Sequence, residues 1–440
     1  MRRTRESRGA FMRYGVLYGG EVSNVADCDT RIRAPAVRPA GGFEHRRTRG
    51  PLPRRRLRIL MLNLEYPPLG GGTATAAYHL LRRLGGWGTF LIDFVTSRSP
   101  EGPAFERLGP RVRIFRLEVG KRDVHYWRSG EILRWIHRAS RLSEALSTHH
   151  RYDVCHCWMG WPAGWIGYFL RDRFPFLIGL RGSDVPGYND RLRLLDALLL
   201  RPISRRVWRA AAFVTANSEA LKRLALKTAP DLDIKVIRNG AEEVEPARMP
   251  ELPPIRILFT GRLIKRKGVV YVLEALRLLS RRAGGRFRLV VAGEGPERRR
   301  LQSLAEKWGL GSIVRFHGNV RRENLGSLYR SSHVFVMPSI EESLANAVLE
   351  AAAYGLAIVT TDTGAAEAID GNGFVVPRKT PKALASALEW YARCPELLER
   401  HRLRSVLCSR VHSWNAAAYA YGDLYLRAVG ADRSLHVGSL

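Results

Sequence analysis

The chain has 440 residues, of which 45% are hydrophobic, and it carries a formal net charge of +31 at pH 7. This length exceeds what one hydrophobic core usually supports, so we expect two domains. Apolar stretches such as residues 169–180 are interrupted by charged side chains and fall short of the roughly 20 apolar residues of a membrane span, so no transmembrane helix is predicted. The charge implies an anionic partner or surface, but it does not choose between nucleic acid, anionic lipid and phosphorylated substrates.

Residues 1–56 contain many arginines and no sustained periodicity, so we predict a disordered basic arm outside the fold. Since this segment lacks the apolar region and cleavage site of a secretory signal, we expect a cytoplasmic protein. The five cysteines are odd in number and scattered, which favours reduced thiols over a disulfide framework. The run Cys155-His156-Cys157 is interpreted as the end of a buried strand, because no second ligand pair with zinc spacing accompanies it.

From residue 57 onward, short apolar runs alternate with helical stretches. Residues 58–62 predict a buried strand, and three glycines at 70–72 precede a helix that starts near Ala74. A strand, a glycine loop and a helix open a doubly wound domain, and the alternation that follows predicts a largely parallel sheet over 57–245. Its further strands are predicted at 90–95, 112–117, 154–156, 176–180, 213–216 and 234–237.

A Pro-rich and acidic segment at 246–254 is predicted to link this domain to a second one, 255–410. Residues 411–430 contain a late helix, 414–428, that we expect to cross back to the first domain, and 431–440 form a tail. The predicted fold class is therefore α/β, with two doubly wound, Rossmann-like domains that face each other across a cleft. Strands of the second domain are predicted at 255–260, 287–292, 313–316, 334–337, 357–361 and 374–376.

The residues that follow these second-domain strands are polar and rich in glycine. In open α/β sheets, ligands bind beyond the carboxyl ends of the strands. Arg262 and Lys267 place two cations at one crevice, and a helix that starts near Asn346 points its positive end toward the same place. This convergence predicts a diphosphate site.

Two glutamates, Glu342 and Glu350, lie before and inside that helix, so one carboxylate can reach a sugar hydroxyl and the other a ribose. The run from Glu342 to Ala351 resembles the E-x7-E signature of the family-4 retaining glycosyltransferases, which have the GT-B fold. Other segments also match motifs of this family: Gly70-Gly71-Gly72, Arg238-Asn239-Gly240, Gly261-Arg262 with Lys267-Gly268, Gly293-Glu294-Gly295-Pro296 and Phe316-His317-Gly318.

The resemblance implies sugar transfer from a nucleoside-diphosphate donor with retention at the anomeric carbon, without a metal, a cofactor or a covalent nucleophile. It implies that Arg262 and Lys267 clamp the diphosphate and that Glu342 holds the donor sugar, which makes these three the catalytic residues. Stabilisation of the leaving diphosphate would then be the main catalytic effect. Donor binding is assigned by the same resemblance to Glu350 at the ribose and to Leu344, Ala345, Gly293, Gly318 and Gly72, with Gly71 on the acceptor or phosphate side.

One position departs from the family. Many members carry a histidine after the strand that ends here at Leu180, where this chain has Arg181. A permanently charged guanidinium cannot mimic a neutral imidazole, so Arg181 either contacts a phosphate or an acidic acceptor, or it is structural. The run Asp231-Leu232-Asp233 is not interpreted as a metal-binding DxD motif, because it precedes a strand without the surrounding architecture of such sites.

Three classes of function remain open. The first is a retaining glycosyltransferase with a sugar or lipid-linked sugar as acceptor, in envelope or exopolysaccharide synthesis; the second is a GT-B nucleotide-sugar epimerase or phosphorylase. The third is a non-catalytic basic adaptor for membrane or nucleic acid, which does not explain the convergence of Arg262, Lys267, Glu342 and Glu350. The segment 132–142 predicts a basic amphipathic helix that either rests on anionic lipid at the inner face of the plasma membrane or packs on the first domain. No specific nucleic-acid partner is expected.

Overall fold

The computed structural model describes residues 56–123, 127–188, 199–280 and 285–430. The predicted arm, apart from Arg56, and the tail 431–440 lie outside these residues. The strands of the described part form two separate sheets, one of eight strands and one of six. In the described residues no helix is long and apolar enough to cross a membrane.

The first sheet has the strand order β3-β4-β2-β1-β5-β6-β7-β8, and every pair is parallel except β3 with β4. The strands are near-continuous apolar runs, which is typical of parallel strands buried on both faces. Because β2 and β5 flank β1, the strand order reverses at β1, as in doubly wound folds. The strands are β1 Leu57–Leu62, β2 Phe90–Ser97, β3 Phe105–Arg107, β4 Val112–Leu117, β5 Val154–Trp158, β6 Phe176–Leu180, β7 Phe213–Ala216 and β8 Ile234–Val236.

The helices of this half are α1 Gly72–Gly86, α2 Ser129–His149, α3 Ala163–Leu170, α4 Arg201–Ala210 and α5 Glu219–Leu226. Helix α1 starts at Gly72, two residues before the predicted Ala74, because the amide of Thr75 already bonds to the carbonyl of Gly71 at 3.1 Å. Helix α2 packs its apolar side on the first domain, where Trp135 and Ala139 are fully buried. The packing alternative for this helix is therefore the observed one, and its arginines face outward.

The second sheet has the order β11-β10-β9-β12-β13-β14 and is parallel throughout. Its strands are β9 Ile255–Thr260, β10 Phe287–Ala292, β11 Val314–Gly318, β12 Val334–Met337, β13 Ala357–Thr361 and β14 Gly373–Val376. The helices around it are α6 Val269–Ser280, α7 Arg298–Lys307, α8 Arg322–Arg330, α9 Asn346–Ala353, α10 Pro381–Arg393 and α11 Pro395–Val411. The predicted fold class, two doubly wound α/β domains, is confirmed.

The last helix, α12 Trp414–Ala428, packs against α1 and not against the second sheet. The hydroxyl of Ser413 caps it by accepting a hydrogen bond from Ala416 N at 3.1 Å. Tyr421 and Tyr425 are buried in the same core as strand β1. The end of the chain therefore covers part of the first sheet, and this affects the site.

Candidate active site

A cavity of about 430 Å³ lies between the two sheets. Its walls come from segments that follow strands of both sheets, which is where open α/β sheets bind their ligands. Glycines of the loop after β1, Gly71 and Gly72, form one wall. The opposite wall comes from the segments after β9, β10 and β11 and from the start of α9.

The predicted diphosphate clamp and the predicted sugar carboxylate meet in this cavity. Lys267 Nζ donates a hydrogen bond to Glu342 Oε2 at 2.5 Å, and both side chains are almost buried, with 12% and 10% exposure. Gly268 permits this approach, because it has a φ of +66° and a Cβ there would lie 2.1 Å from the carbonyl oxygen of Pro338. Arg262 lines the same wall. Two cations and a carboxylate therefore share one part of the cavity.

The second glutamate, Glu350, lies on α9 at the same cavity. The hydroxyl of Tyr329 donates a hydrogen bond to its Oε2 at 3.1 Å, and Nη2 of Arg322 lies 3.7 Å from its Oε1. Leu344 and Ala345 come just before α9, and no side chain of the described residues caps this helix. Its first N–H groups are thus available for an anion in the cavity.

Nearly all the site residues that the sequence predicts line this one cavity: Glu342, Arg262, Lys267, Glu350, Leu344, Ala345, Gly293, Gly72, Gly71 and Arg181. Gly318 is the exception among them. Its carbonyl accepts a hydrogen bond from Gly293 N at 2.7 Å, and at this point Asn319 and Val320 are the residues that line the cavity. Gly318 therefore supports Gly293 from behind, and its part in donor binding stays a prediction.

Arg181 is held firmly by its neighbours. It is only 8% exposed, and its guanidinium donates hydrogen bonds to Asn239 Oδ1 at 2.9 Å and to the hydroxyl of Tyr421 at 2.8 Å. The same group lies 3.8 Å from the ring centre of Trp158. Burial lowers the pKa of Arg181, but an arginine side chain stays charged in proteins. These contacts favour the structural interpretation of this residue.

A relay of hydrogen bonds between side-chain amides leads from Arg181 across the cavity. Asn239 Nδ2 donates to Asn346 Oδ1 at 2.7 Å, and Asn346 Nδ2 donates to the carbonyl of Gly72 at 3.1 Å. Asn346 is the first residue of α9, so the relay joins the second domain to the glycine loop of the first. Its members come from distant parts of the chain, and the sequence alone does not predict their contact.

Sequence reasoning missed Glu65, which follows β1 and lines the cavity. Its Oε1 accepts a hydrogen bond from Trp127 Nε1 at 3.1 Å, and its Oε2 accepts one from Gly71 N at 3.4 Å. Burial raises the pKa of the Glu65 carboxyl, although Trp127, Arg262 and Lys121 partly oppose this shift. A census of polar residues after first-domain strands would have identified Glu65, as it identified the second-domain residues.

Three weaker sequence signals have local explanations. His156 is fully buried, and its Nδ1 lies 2.7 Å from the hydroxyl of Tyr425. Burial lowers its pKa well below the ordinary histidine value. Asp231 pairs with Arg209, and Asp233 pairs with Lys235. Within the described ranges, no group of three or more His, Cys, Asp and Glu side chains is arranged to hold a metal ion.

Two family models match the chain on either side of residue 241. Residues 71–240 match the model described as glycosyl transferase 4-like domain, and residues 243–405 match glycosyl transferases group 1. The chain belongs to the glycosyl transferases of group 1. Residues of both matched segments line the cavity between the two sheets.

The D-inositol 3-phosphate glycosyltransferase of Streptomyces griseus subsp. griseus is 34% identical over 220 residues, 44% of this chain and 46% of that relative. That match spans less than half of the relative's length. The glycogen synthase of Mycobacterium tuberculosis (strain CDC 1551 / Oshkosh) is 27% identical over 409 residues, 86% of this chain and 96% of the relative. Among solved structures, the sucrose-phosphate synthase from Thermosynechococcus elongatus superposes with a TM-score of 0.74 at 22% identity, covering 85% of this chain and 100% of that one. The transferase therefore has the GT-B fold.

Proposed function

We propose that the transferase moves a sugar from a nucleoside-diphosphate donor to an acceptor, with retention at the anomeric carbon and without a metal ion. The observation that carries this proposal is the convergence of Arg262, Lys267, Glu342 and Glu350 on one cavity between the domains. An epimerase or phosphorylase would use the same fold, but no observation favours either over transfer. Residues 57–245 would form the acceptor side and residues 255–410 the donor side.

The roles that the family resemblance implies are compatible with the place of each residue in the cavity. Glu350, already an acceptor for the hydroxyl of Tyr329, would accept from the ribose hydroxyls of the nucleotide. Arg262, Lys267 and the amides at Leu344 and Ala345 would bind the diphosphate. Glu342 would bind a hydroxyl of the donor sugar while it stays close to Lys267. Gly71 and Gly72 would let the backbone of the first domain approach the phosphate.

The chemistry follows from these positions. Cleavage of the anomeric carbon–oxygen bond leaves negative charge on the departing diphosphate, next to Arg262 and Lys267. A fixed cation at that point is worth more in the transition state than in the ground state, because the charge develops only as the bond breaks. The departing diphosphate can itself take the proton of the acceptor hydroxyl, so no side chain is assigned as general base.

A nucleotide screen tests the donor site. Thermal unfolding would be followed with UDP, GDP, ADP and their sugars, with and without EDTA, for the wild type and for Glu350→Ala and Arg262→Ala. A ligand at roughly 100 times its Kd adds about 2.7 kcal/mol of stability, which is easily measured. We expect one nucleotide to stabilise the wild type with or without EDTA, and the two variants to lose this response.

Arg315→Ala is the matched control, because Arg315 is an exposed arginine of strand β11 outside the cavity. It should respond to the nucleotide like the wild type. Retention would be checked by NMR of the first-formed product, whose anomeric configuration must equal that of the donor. Inversion, a requirement for a divalent metal, or the absence of any nucleotide response would overturn the corresponding part of the proposal.

A further inference from the structure

A second cavity, of about 640 Å³, opens on the first domain between residues 118–122 and the first turns of α2. Four arginines line it: Arg122, Arg128, Arg134 and Arg138. We call this cavity the basic groove. Arg134 is oriented by a hydrogen bond from its Nε to the carbonyl of Val119 at 2.8 Å. All four arginines are exposed, so their guanidinium groups are available to a ligand.

The carboxylates of the groove do not balance this charge. Glu131 is only 2% exposed and accepts hydrogen bonds from Lys121 Nζ at 3.1 Å and from Arg128 N at 3.0 Å. Burial raises the pKa of Glu131, but these bonds outweigh it and hold the pKa below its ordinary value. Glu118 accepts from the backbone amide of Gly120 at 2.9 Å. Its single charge cannot offset four guanidinium groups.

Some arginines elsewhere on the first domain form ion pairs. Arg113 bonds to Asp93, Arg116 to Glu106 and Arg209 to Asp231, each within 3.0 Å. None of the four groove arginines forms an ion pair with a carboxylate of the described residues. Like charges that face one cavity repel each other, and a bound anion would relieve this repulsion. The four groove arginines therefore differ from these ion-paired arginines, and they share one cavity.

The basic groove lies next to the active-site cleft. Lys121 Nζ, which holds Glu131, lies 3.8 Å from the ring centre of Trp127. Trp127 Nε1 in turn donates a hydrogen bond to Glu65 Oε1 at 3.1 Å, and Glu65 lines the cleft. The side chains of Lys121 and Trp127 thus lie between the two cavities. A ligand in the groove would lie on the first-domain, acceptor side of the reaction.

We infer that the basic groove binds a phosphate or diphosphate group carried by the acceptor, whose sugar end enters the cleft beside Glu65. This inference rests on the proposed function. Guanidinium groups bind phosphate oxygens through paired, charge-assisted hydrogen bonds, and four of them suit a group with more than one negative charge. The phosphate can belong to a soluble phosphorylated sugar or to a lipid headgroup, because the chemistry at the groove is the same.

The test measures binding of inorganic pyrophosphate by calorimetry to the full chain carrying Arg262→Ala and Lys267→Ala, which removes the cations of the cleft. Adding Arg122→Ala, Arg128→Ala and Arg138→Ala should weaken pyrophosphate binding by about tenfold or more, because charge-assisted contacts are lost. Arg134 is kept because it supports the backbone at Val119. The matched control adds Arg288→Ala, Arg299→Ala and Arg315→Ala, three exposed arginines of the second domain, and should bind like the parent.

A second arm identifies the source of the phosphate. Flotation with vesicles of phosphatidylcholine, with and without phosphatidic acid, would be compared for the wild type and for the variant that lacks only the three groove arginines. Loss of both pyrophosphate and vesicle binding supports a lipid-borne phosphate, and loss of pyrophosphate binding alone supports a soluble one. Unchanged pyrophosphate binding when the three groove substitutions are added to the Arg262→Ala, Lys267→Ala background, or an equal loss in the control, overturns the inference.

The nucleotide response separates this inference from the proposed function. The groove variant keeps Arg262, Lys267 and Glu350, so UDP, GDP or ADP should stabilise it as they stabilise the wild type. If no nucleotide stabilises any form, the proposed function fails, and the acceptor assignment fails with it. If nucleotides bind and the three groove substitutions leave pyrophosphate binding unchanged in the Arg262→Ala, Lys267→Ala background, only the groove inference fails.

Discussion

Two arginines that follow strands, one in each domain, have different surroundings. Arg181 follows β6 of the first sheet and Arg262 follows β9 of the second, and both line the same cavity. Arg181 is buried against Tyr421 of α12, whereas Arg262 is partly exposed on the cavity wall. The position after a strand therefore brings a residue to the cleft, but the elements that cover the strand end decide whether it can bind a ligand.

Helix α12 makes this difference. It brings Tyr421 and Tyr425 to strands β7 and β5, where their hydroxyls lie 3.2 Å from Thr215 Oγ1 and 2.7 Å from His156 Nδ1. Together with the hydrogen bond from Arg181 to Tyr421, these contacts join polar groups of the first sheet to α12. The helix packs in the core of the first sheet, and none of its described residues belongs to the core of the second.

The largest expected effect is on catalysis by Arg262→Ala. Removing a fixed cation from the leaving group typically costs on the order of 3 kcal/mol, so we expect kcat to fall by about a hundredfold. The unfolding temperature should stay close to that of the wild type, since Arg262 is not part of a buried core. Steady-state rates and thermal unfolding of the same preparations check this, and a rate loss below about threefold would contradict it.

Arg181→Ala is expected to lower stability more than activity. Its removal leaves Asn239 and Tyr421 without their buried partner, which should lower the free energy of unfolding by about 2–3 kcal/mol. Urea denaturation measures this change, with Arg315→Ala as a neutral control. If Arg181→Ala keeps wild-type stability and loses activity as strongly as Arg262→Ala, the contrast between the two arginines is wrong.

A smaller effect is expected at the contact between the domains. Glu367 of the second domain accepts hydrogen bonds from Glu219 N at 2.9 Å and Ala220 N at 2.8 Å, at the start of α5 in the first domain. Glu367→Gln removes a negative charge from a helix N-terminus, which typically costs about 0.3–1 kcal/mol. We expect the KM for the donor to rise by about two- to fivefold, because the closed cleft becomes less stable.

Glu389→Gln is the control for Glu367→Gln, because Glu389 pairs with Arg393 within a single helix. It should leave the KM unchanged. A change in kcat with no change in KM for Glu367→Gln would place this carboxylate in the chemistry and not in domain closure.

The strands of both sheets were predictable because parallel strands buried on both faces are continuous apolar runs. Strand β3, Phe105–Arg107, was not predicted, since it is a three-residue, mostly exposed edge strand without such a run. At the site, the rule of strand ends was sufficient to place Arg262, Lys267 and Glu342 together. The same rule could not predict that α12 packs on strands of the first sheet and bonds to Arg181, because that contact joins residues about 240 positions apart.

Side-chain contacts between the two domains were not predictable from the sequence. Arg322, at the start of α8, lies close to Glu350 and also contacts His79 of α1 in the first domain. Arg322 and His79, taken alone, resemble an ordinary surface residue and an ordinary core residue. Only the closed arrangement of the two domains brings them together beside Glu350, so no local pattern could have predicted their contact.

An effect of similar size concerns the pH dependence of stability on the first-domain side, at Glu242. Burial alone would raise the pKa of this carboxyl, but contacts with His79 and Arg83 of α1 outweigh it and lower the pKa from 4.5 to about 2. A carboxyl whose pKa is lower in the folded state stabilises the fold above pH 4.5, and this contribution is lost as the pH falls toward 2. Because Glu242 is 34% exposed, solvent screening reduces the effect to about 1 kcal/mol.

Glu242→Gln should therefore be less stable than the wild type at pH 7, and the difference should shrink as the pH falls from 4.5 toward 2. Urea denaturation measures this difference at about pH 7, above the range over which the carboxyl titrates, and at about pH 4 and 3, within that range. A constant difference at every pH would mean that the side chain acts through packing and not through its charge.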